Sequence, residues 1–219
     1  MGKLIVIEGL DGSGKGTQAA LLAEHLRDKG CRVREISFPD YASDGSVLAR
    51  MYLNGELGGS PDATNAYAAS MFYAADRYVS YRTDWEKDYL DSETIVIANR
   101  YTTANAYHQL AKLPRDQWDA FLTWLWDFEF SRLGLPKPDA VIALSMRPEV
   151  SRALIEKRCV ETGVKKDIHE ADKEYLERCY TALHYVAEAE GWHLLECAEG
   201  EAPHPIPVIQ QKICGVLGV

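Results

Sequence analysis

Glycines, a lysine and a hydroxyl side chain stand at phosphate-binding spacing in Gly9-Leu10-Asp11-Gly12-Ser13-Gly14-Lys15-Gly16-Thr17. An apolar run, Leu4-Ile5-Val6-Ile7, precedes them and reads as a buried strand, and Gln18 to Arg27 follows as a helix. Between a strand and a helix, the N–H groups of such a turn form a nest for anions, and the helix N-terminus adds its positive dipole end. Lys15 brings a mobile ammonium to the outer phosphates. The segment is expected to bind a nucleoside triphosphate.

Three further groups carry side chains capable of chemistry. Tyr73 and Arg77 lie four apart in a segment of helical periodicity, so ring and guanidinium share one face. An aromatic plane beside a forked cation suits a base with a phosphate, and equally an ordinary helix with a half-buried tyrosine. Asn99-Arg100-Tyr101 closes the apolar run Thr94–Ala98, at the crevice in which open α/β sheets bind ligands. Downstream, Gln109 offers both a donor and an acceptor, as a pyrimidine edge requires. His108 has the chemistry of a general base, or of hydrogen-bonded packing, and Tyr107 carries the same two readings. The third group runs from Arg158 to Glu170 and includes Lys165 and Lys166. Its cations suit a lid folding over a triphosphate; a solvated charged loop has the same composition.

The elements that must position these groups follow from periodicity. Apolar segments Arg32–Phe38, Thr94–Asn99, Asp139–Met146 and Trp192–Cys197 join the first strand, with helical sequence between them. That alternation predicts a doubly wound α/β fold, a five-stranded parallel sheet with helices on both faces. One domain over residues 1–219 is expected, with a lid segment near 158–170. Helices are predicted from Gln18 to Arg27, from Thr64 to about Trp85, and around Leu176, Tyr180, Leu183 and Ala187. An aromatic stripe from Trp118 to Phe130 is either core or a subunit face. The net charge of −9 argues against nucleic acid polymers or anionic membranes as partners. Five cysteines without a CxxC pair suit reduced thiols. With no secretory segment after Met1-Gly2-Lys3 and no apolar run of spanning length, the expected location is the cytoplasm.

Taken together, these segments resemble the thymidylate kinases, P-loop nucleoside monophosphate kinases. The resemblance runs from Lys3 to about Cys197. It rests on Glu8-Gly9-Leu10-Asp11-Gly12-Ser13-Gly14-Lys15 with Gln18 after it, Asp76-Arg77, Asn99-Arg100-Tyr101 with a later glutamine, and Pro148-Glu149-Val150. It implies a three-layer P-loop NTPase fold with a helical lid, ATP as phosphate donor, Mg²⁺, dTMP as acceptor and a homodimer. By position, it implies that Gly9, Gly12, Ser13, Gly14, Lys15, Gly16 and Thr17 hold the ATP phosphates. Asp11 would approach the 3′-hydroxyl side of the deoxynucleotide, and Phe38-Pro39 would wall its pocket. Tyr73 would stack on thymine, Arg77 position the nucleotide, Gln109 read the base edge and Arg100 bind the acceptor phosphate. Tyr101, Tyr107 and His108 fall beside these positions. Because Gly12-Ser13-Gly14 carries no arginine, Arg158, Lys165 and Lys166 are expected to supply the transition-state cation.

The chain departs from that pattern at several places. Asn99 stands where the family has an aspartate, and Gly16 replaces the hydroxyl residue after the lysine, leaving Thr17 as the hydroxyl near a metal. The lid reads Asp167-Ile168-His169-Glu170 without the family's arginine; Ala104, Tyr107, His108 and Ser145 also differ. The implied reaction is ATP + dTMP giving ADP + dTDP. An acceptor phosphate oxygen, already ionised, attacks in line with neither a covalent intermediate nor a general base. The same chemistry on another nucleotide or a deoxynucleoside, and a non-catalytic nucleotide-binding module, are the alternatives that the departures leave open.

Overall fold

The chain's apolar runs become strands, the three central ones buried on both faces and the two edge ones partly exposed. In a computed structural model, which describes residues 1–163, 167–200 and 202–219, these are β1 (Lys3–Gly9), β2 (Arg32–Ser37), β3 (Thr94–Asn99), β4 (Ala140–Ser145) and β5 (His193–Glu196). They form one parallel sheet in the order β2-β3-β1-β4-β5. β1 lies at its centre, with Ile5 opposite Ile97 of β3 on one side and Ala140 of β4 on the other. The expected fold is therefore the observed one, with strand ends that differ by a residue or two.

Successive side chains of β1 feed opposite layers. Ile5 and Ile7 pack with Leu22 and Leu26 of α1 (Lys15–Asp28) and Ile209 and Ile213 of α10 (Ile206–Leu217). Leu4 and Val6 meet Tyr81, Trp85 and Tyr101 on the other face. That second layer also contains α3 (Ala66–Ser80), α5 (Thr102–Leu110), α6 (Trp118–Trp126) and α9 (Lys173–Ala189). Smaller elements are α2 (Val47–Leu53), α4 (Glu86–Leu90), α7 (Pro148–Thr162) and α8 (Ile168–Ala171). The last two belong to the expected lid segment, whose Lys165 and Lys166 lie outside the described residues.

Two helices differ from the sequence expectation in the same way. The predicted helix to Trp85 is α-helical only to Ser80 and then widens into a π turn at Tyr81–Trp85. The aromatic stripe likewise passes from α6 into a π turn at Asp127–Arg132. Phe121 and Leu125 are core, whereas Trp124 stacks on Phe128 and Trp126 on Phe130 at the half-buried rim. Each π turn shifts the helical phase of the residues after it. The second one carries Glu129 to a position with no solvent exposure.

Trp85 is also fully buried, its ring 4.7 Å from Tyr81 and 6.2 Å from both Tyr89 and Tyr101. Replacing it by alanine is expected to cost about 3–5 kcal/mol of stability, measured by denaturant unfolding. A loss below about 1 kcal/mol would show that this aromatic layer does not support the sheet.

Candidate active site

The nest after β1 requires backbone that only glycine adopts freely. Gly14 caps α1 at φ 83°, and a Cβ on Gly12 would stand 2.3 Å from the Ser151 carbonyl. Ser13 N–H donates to the Leu10 carbonyl at 3.1 Å, closing the turn. Lys15 then folds back over the loop, donating to Leu10 O at 3.3 Å and Asp11 Oδ1 at 3.0 Å. Behind it, Gln18 Nε2 donates to Ile206 O at 3.0 Å, which ties α1 to α10.

Arg100 leaves the end of β3 at φ 68°, a left-handed conformation that non-glycine residues rarely adopt. Two backbone bonds hold it there. Its own N–H donates to Ile7 O at 3.1 Å, and the Tyr101 N–H donates to Glu8 Oε1 at 3.0 Å. The guanidinium consequently reaches Asp11 Oδ1 at 2.6 Å, the oxygen that also takes Lys15. Burial alone would raise the Asp11 carboxyl, but Arg100 and then Lys15 outweigh it and hold the group well below the usual carboxylate range. Lys15 is lowered by burial and by the nearby Arg100.

Glu8 is the brace beneath this corner. It accepts from Tyr101 N, Thr103 Oγ1 and the Tyr107 hydroxyl, the last at 2.9 Å. Burial still raises its pKa against those bonds and the Arg100 charge. Tyr107 is thus fully buried and supports Arg100, accepting from its Nη1 at 3.1 Å, and does not line the acceptor-side pocket. His108 Nε2 accepts from the same Nη1 at 3.0 Å, leaving Nδ1 to carry the hydrogen toward Tyr175 Oη at 3.3 Å. Burial, then Arg100, holds His108 well below its ordinary pKa, so the ring is neutral with its lone pair engaged.

Beyond Arg100 opens a pocket lined by Phe38, Pro39, Tyr73, Arg77, Tyr101, Asn105 and His108, with Asp11 at its mouth. Arg77 forms a two-pronged ion pair with Glu129, at 2.7 and 2.6 Å. Gln109 is not brought to this wall: it is fully buried, and neither its Oε1 nor its Nε2 has a partner. Asn105 stands in the lining, one turn earlier on α5, and Glu129 stands behind it; sequence reading singled out neither. The signal for Glu129 is a lone carboxylate inside the aromatic run Phe128-Glu129-Phe130.

A wider crevice joins Gly12, Gly14, Lys15, Gly16 and Thr17 to Ser37, Asn99, Arg100, Arg158 and Glu170. Arg158 donates to Glu170 Oε1 at 2.7 Å, so α7 and α8 meet on the wall of this crevice. His169 inserts from α8 beneath this pair. Its ring lies 5.2 Å from His108 and 4.8 Å from Tyr175, and its Nε2 lies 3.0 Å from the Tyr52 hydroxyl. Tyr52 in turn accepts from Lys112 at 2.8 Å. Burial, followed by the Lys112 charge, lowers His169 to about 3, and burial lowers Lys112 to about 8.

The family model for thymidylate kinase matches residues 7–211. A thymidylate kinase of Mycobacterium tuberculosis (strain H37Rv) is 32% identical over 191 residues, covering 86% of this chain and 87% of that protein. A probable thymidylate kinase of Thermococcus onnurineus is 34% identical over 164 residues, 74% of this chain and 75% of its own length. Among solved structures, a thymidylate kinase from Candida albicans superposes with a TM-score of 0.69 at 20% identity, over 99% of this chain and 91% of that one. This last likeness bears on the fold alone.

Docking of α8 is expected to depend on pH through His169, which faces Lys112, Arg100 and Asp11 as charged groups and His108, Tyr52 and Tyr175 as neutral ones. Docked, the ring stays neutral to about pH 3; released, it titrates near 6.5. Docking is therefore unaffected above pH 6.5 and weakens as the pH falls from there toward 3. Protection factors of residues 168–171, taken against the intrinsic exchange rate at each pH, should fall over that window, and His169→Asn should flatten the response. An equal fall in both proteins would remove His169 from the effect.

Proposed function

The chain belongs to the thymidylate kinase family and phosphorylates dTMP, and from that premise we propose how its own residues divide the work. ATP is the phosphate donor. Its phosphates lie in the nest of Gly9, Gly12, Ser13, Gly14, Gly16 and Thr17, with Lys15 on the outer ones. The acceptor lies in the Tyr73–Arg77–Asn105 pocket with its phosphate on Arg100. One observation carries this reading: a single carboxylate oxygen of Asp11 holds Lys15 at 3.0 Å and Arg100 at 2.6 Å. The donor-side and acceptor-side cations are thereby within reach of one transferring group.

Chemistry then requires little beyond position and charge. An ionised oxygen of dTMP attacks the γ-phosphorus in line, and the β–γ bridging oxygen leaves with ADP. No proton has to be removed from the nucleophile, in keeping with a neutral His108 whose lone pair is already engaged. Arg158, poised by Glu170 on the lid side, supplies positive charge as the phosphoryl group moves, with Lys165 and Lys166 as further cations of the same segment. Tyr73 and Phe38-Pro39 enclose the base between apolar surfaces, beside Tyr101. Asp11 borders the sugar side of the pocket.

The family implies Mg²⁺, and the residues fit it. Asn99 Oδ1 is buried without a hydrogen-bond partner at the end of β3, on the crevice that Gly16, Thr17 and Ser37 share. Asn99, Thr17 and Ser37 would hold the ion through its water shell, since Gly16 offers no hydroxyl. Bound on ATP, the ion would neutralise phosphate charge.

No helix among the described residues is long and apolar enough to cross a membrane. Five free cysteines favour a reducing compartment, and the cytoplasm is the location we propose. We also propose a homodimer with one domain per subunit. Tyr67, Met71 and Tyr78 form an exposed stripe on α3, and Tyr67 continues onto Trp124 of α6 at 4.7 Å. An aromatic patch of this kind, presented by two adjacent helices, suits an isologous contact.

Acceptor-dependent ADP release, assayed over a panel of monophosphates and nucleosides, is expected to be greatest with dTMP. Lys15→Ala and Arg100→Ala should each lower kcat by about 100- to 1000-fold, the second also raising KM for dTMP. Near-normal single-turnover rates in either folded variant would overturn that residue's role. Met71→Glu should convert the protein to a monomer in sedimentation velocity; an unchanged species would exclude this face as the interface.

A further inference from the structure

Glu129 touches no part of the crevice, yet it sets what the acceptor pocket presents. The carboxylate has no solvent exposure and accepts four hydrogen bonds. Arg77 donates through Nε at 2.7 Å and Nη2 at 2.6 Å, Thr102 Oγ1 at 2.8 Å, and Asn105 Nδ2 at 3.0 Å. An ionised carboxylate can only accept, so every group facing it must donate.

For Asn105 this fixes the amide. Its Nδ2 donates to Glu129 Oε1 and to the Ser70 carbonyl at 3.2 Å, which also can only accept. The reverse orientation would set Oδ1 against two acceptors, each a buried repulsion. Both amide hydrogens are committed, and the atom left for a ligand is the carbonyl oxygen. For Arg77, the two prongs on Glu129 leave donors on the remaining Nη edge, whose other contact is Tyr101 O at 3.5 Å. The pocket wall therefore offers an acceptor from Asn105 next to a donor from Arg77.

A pyrimidine with a 4-oxo group and an N3–H matches that pair, acceptor to donor and donor to acceptor. A 4-amino pyrimidine presents the opposite pair. We propose that Glu129 is a positioning residue that fixes the polarity of the base-reading edge, and so selects 4-oxo over 4-amino pyrimidine monophosphates. The inference rests on the acceptor base lying against Arg77 and Asn105.

Glu129→Gln tests it, because the side chain keeps its size but must turn a donor toward one of its former donors. With its amide nitrogen on the Asn105 side, the glutamine no longer accepts from Asn105, and the Ser70 carbonyl alone is left to hold that amide's polarity. The ratio of kcat/KM for dTMP over dCMP is expected to fall by about tenfold or more, with KM for ATP unchanged. A residue of merely structural importance would lower both acceptors alike, and an unchanged ratio in the folded variant overturns the proposal. Asn105→Leu separates this from the underlying reading. If that variant leaves both ratio and acceptor KM intact, the base does not lie there; if it collapses the ratio while Glu129→Gln does not, only the role of Glu129 fails.

Removing the charge beside a buried arginine can prevent folding, so the wild-type protein supplies a second measurement. Its Asn105 side-chain amide protons should exchange slowly with solvent both before and after dTMP binds, since Glu129 and the Ser70 carbonyl hold them and the nucleotide meets the oxygen. Rapid exchange of those protons in either state would overturn the proposal.

Discussion

Lys15 and Arg100 are brought together against their mutual repulsion, and the Asp11 carboxylate between them makes this possible. Two cations this close and this buried would be unstable without that carboxylate. The surroundings serve that arrangement. The glycines of the nest let Lys15 turn back over its own loop. The left-handed backbone at Arg100, pinned by Ile7 and by Glu8, aims the guanidinium at the same oxygen. Glu8 and Tyr107 then support the corner from the core side. Local strain at Arg100 persists because β1 and β3 are neighbours and supply both bonds.

A second buried carboxylate, Glu129, organises the far end of the pocket, so the crevice lies between two acidic braces placed behind its walls. Glu8 acts through the Tyr101 N–H, Thr103 and Tyr107, and Glu129 through Arg77 and Asn105. Where the family pattern leads one to expect a carboxylate after β4, Ser145 lies instead 3.0 Å from His184 and 3.4 Å from Tyr180. Two hydroxyls and an imidazole stand there in place of a carboxylate. Asn99 makes the same exchange at the end of β3, so the phosphate side of this crevice carries less negative charge than the family pattern leads one to expect.

The sequence made the parts of the site that depend on local spacing legible. The nest, Lys15 and the strand-end Arg100 follow from strand, glycine and helix signals within a few residues of one another. Tyr73 and Arg77 follow from one helical turn. Asn105 and Glu129 were not legible, because their roles arise from contacts between residues 24 to 52 positions apart. Glu129 was further concealed by the π turn, which breaks the period by which a buried face is recognised. Gln109 has the correct chemistry for a base edge, but one more turn of α5 takes it past the pocket into the packing beneath. The segment from Arg158 to Glu170 was legible as basic, while the docking of His169 depends on Tyr52, His108 and Tyr175, three residues from three other elements.

The sheet order has a consequence for the chain as it is synthesised. β1 emerges first, but its partners are β3 and β4, which follow much later. Until both have appeared, the central strand of the sheet has two unpaired edges. The phosphate nest also lacks its wall at Arg100 and its closing contact at Ser151. Helix α1 waits longer still, since its Gln18 is bonded to the start of the last helix. The strand order thus makes nascent-chain protection, rather than the stability of the finished domain, the step at which this fold is most vulnerable to aggregation.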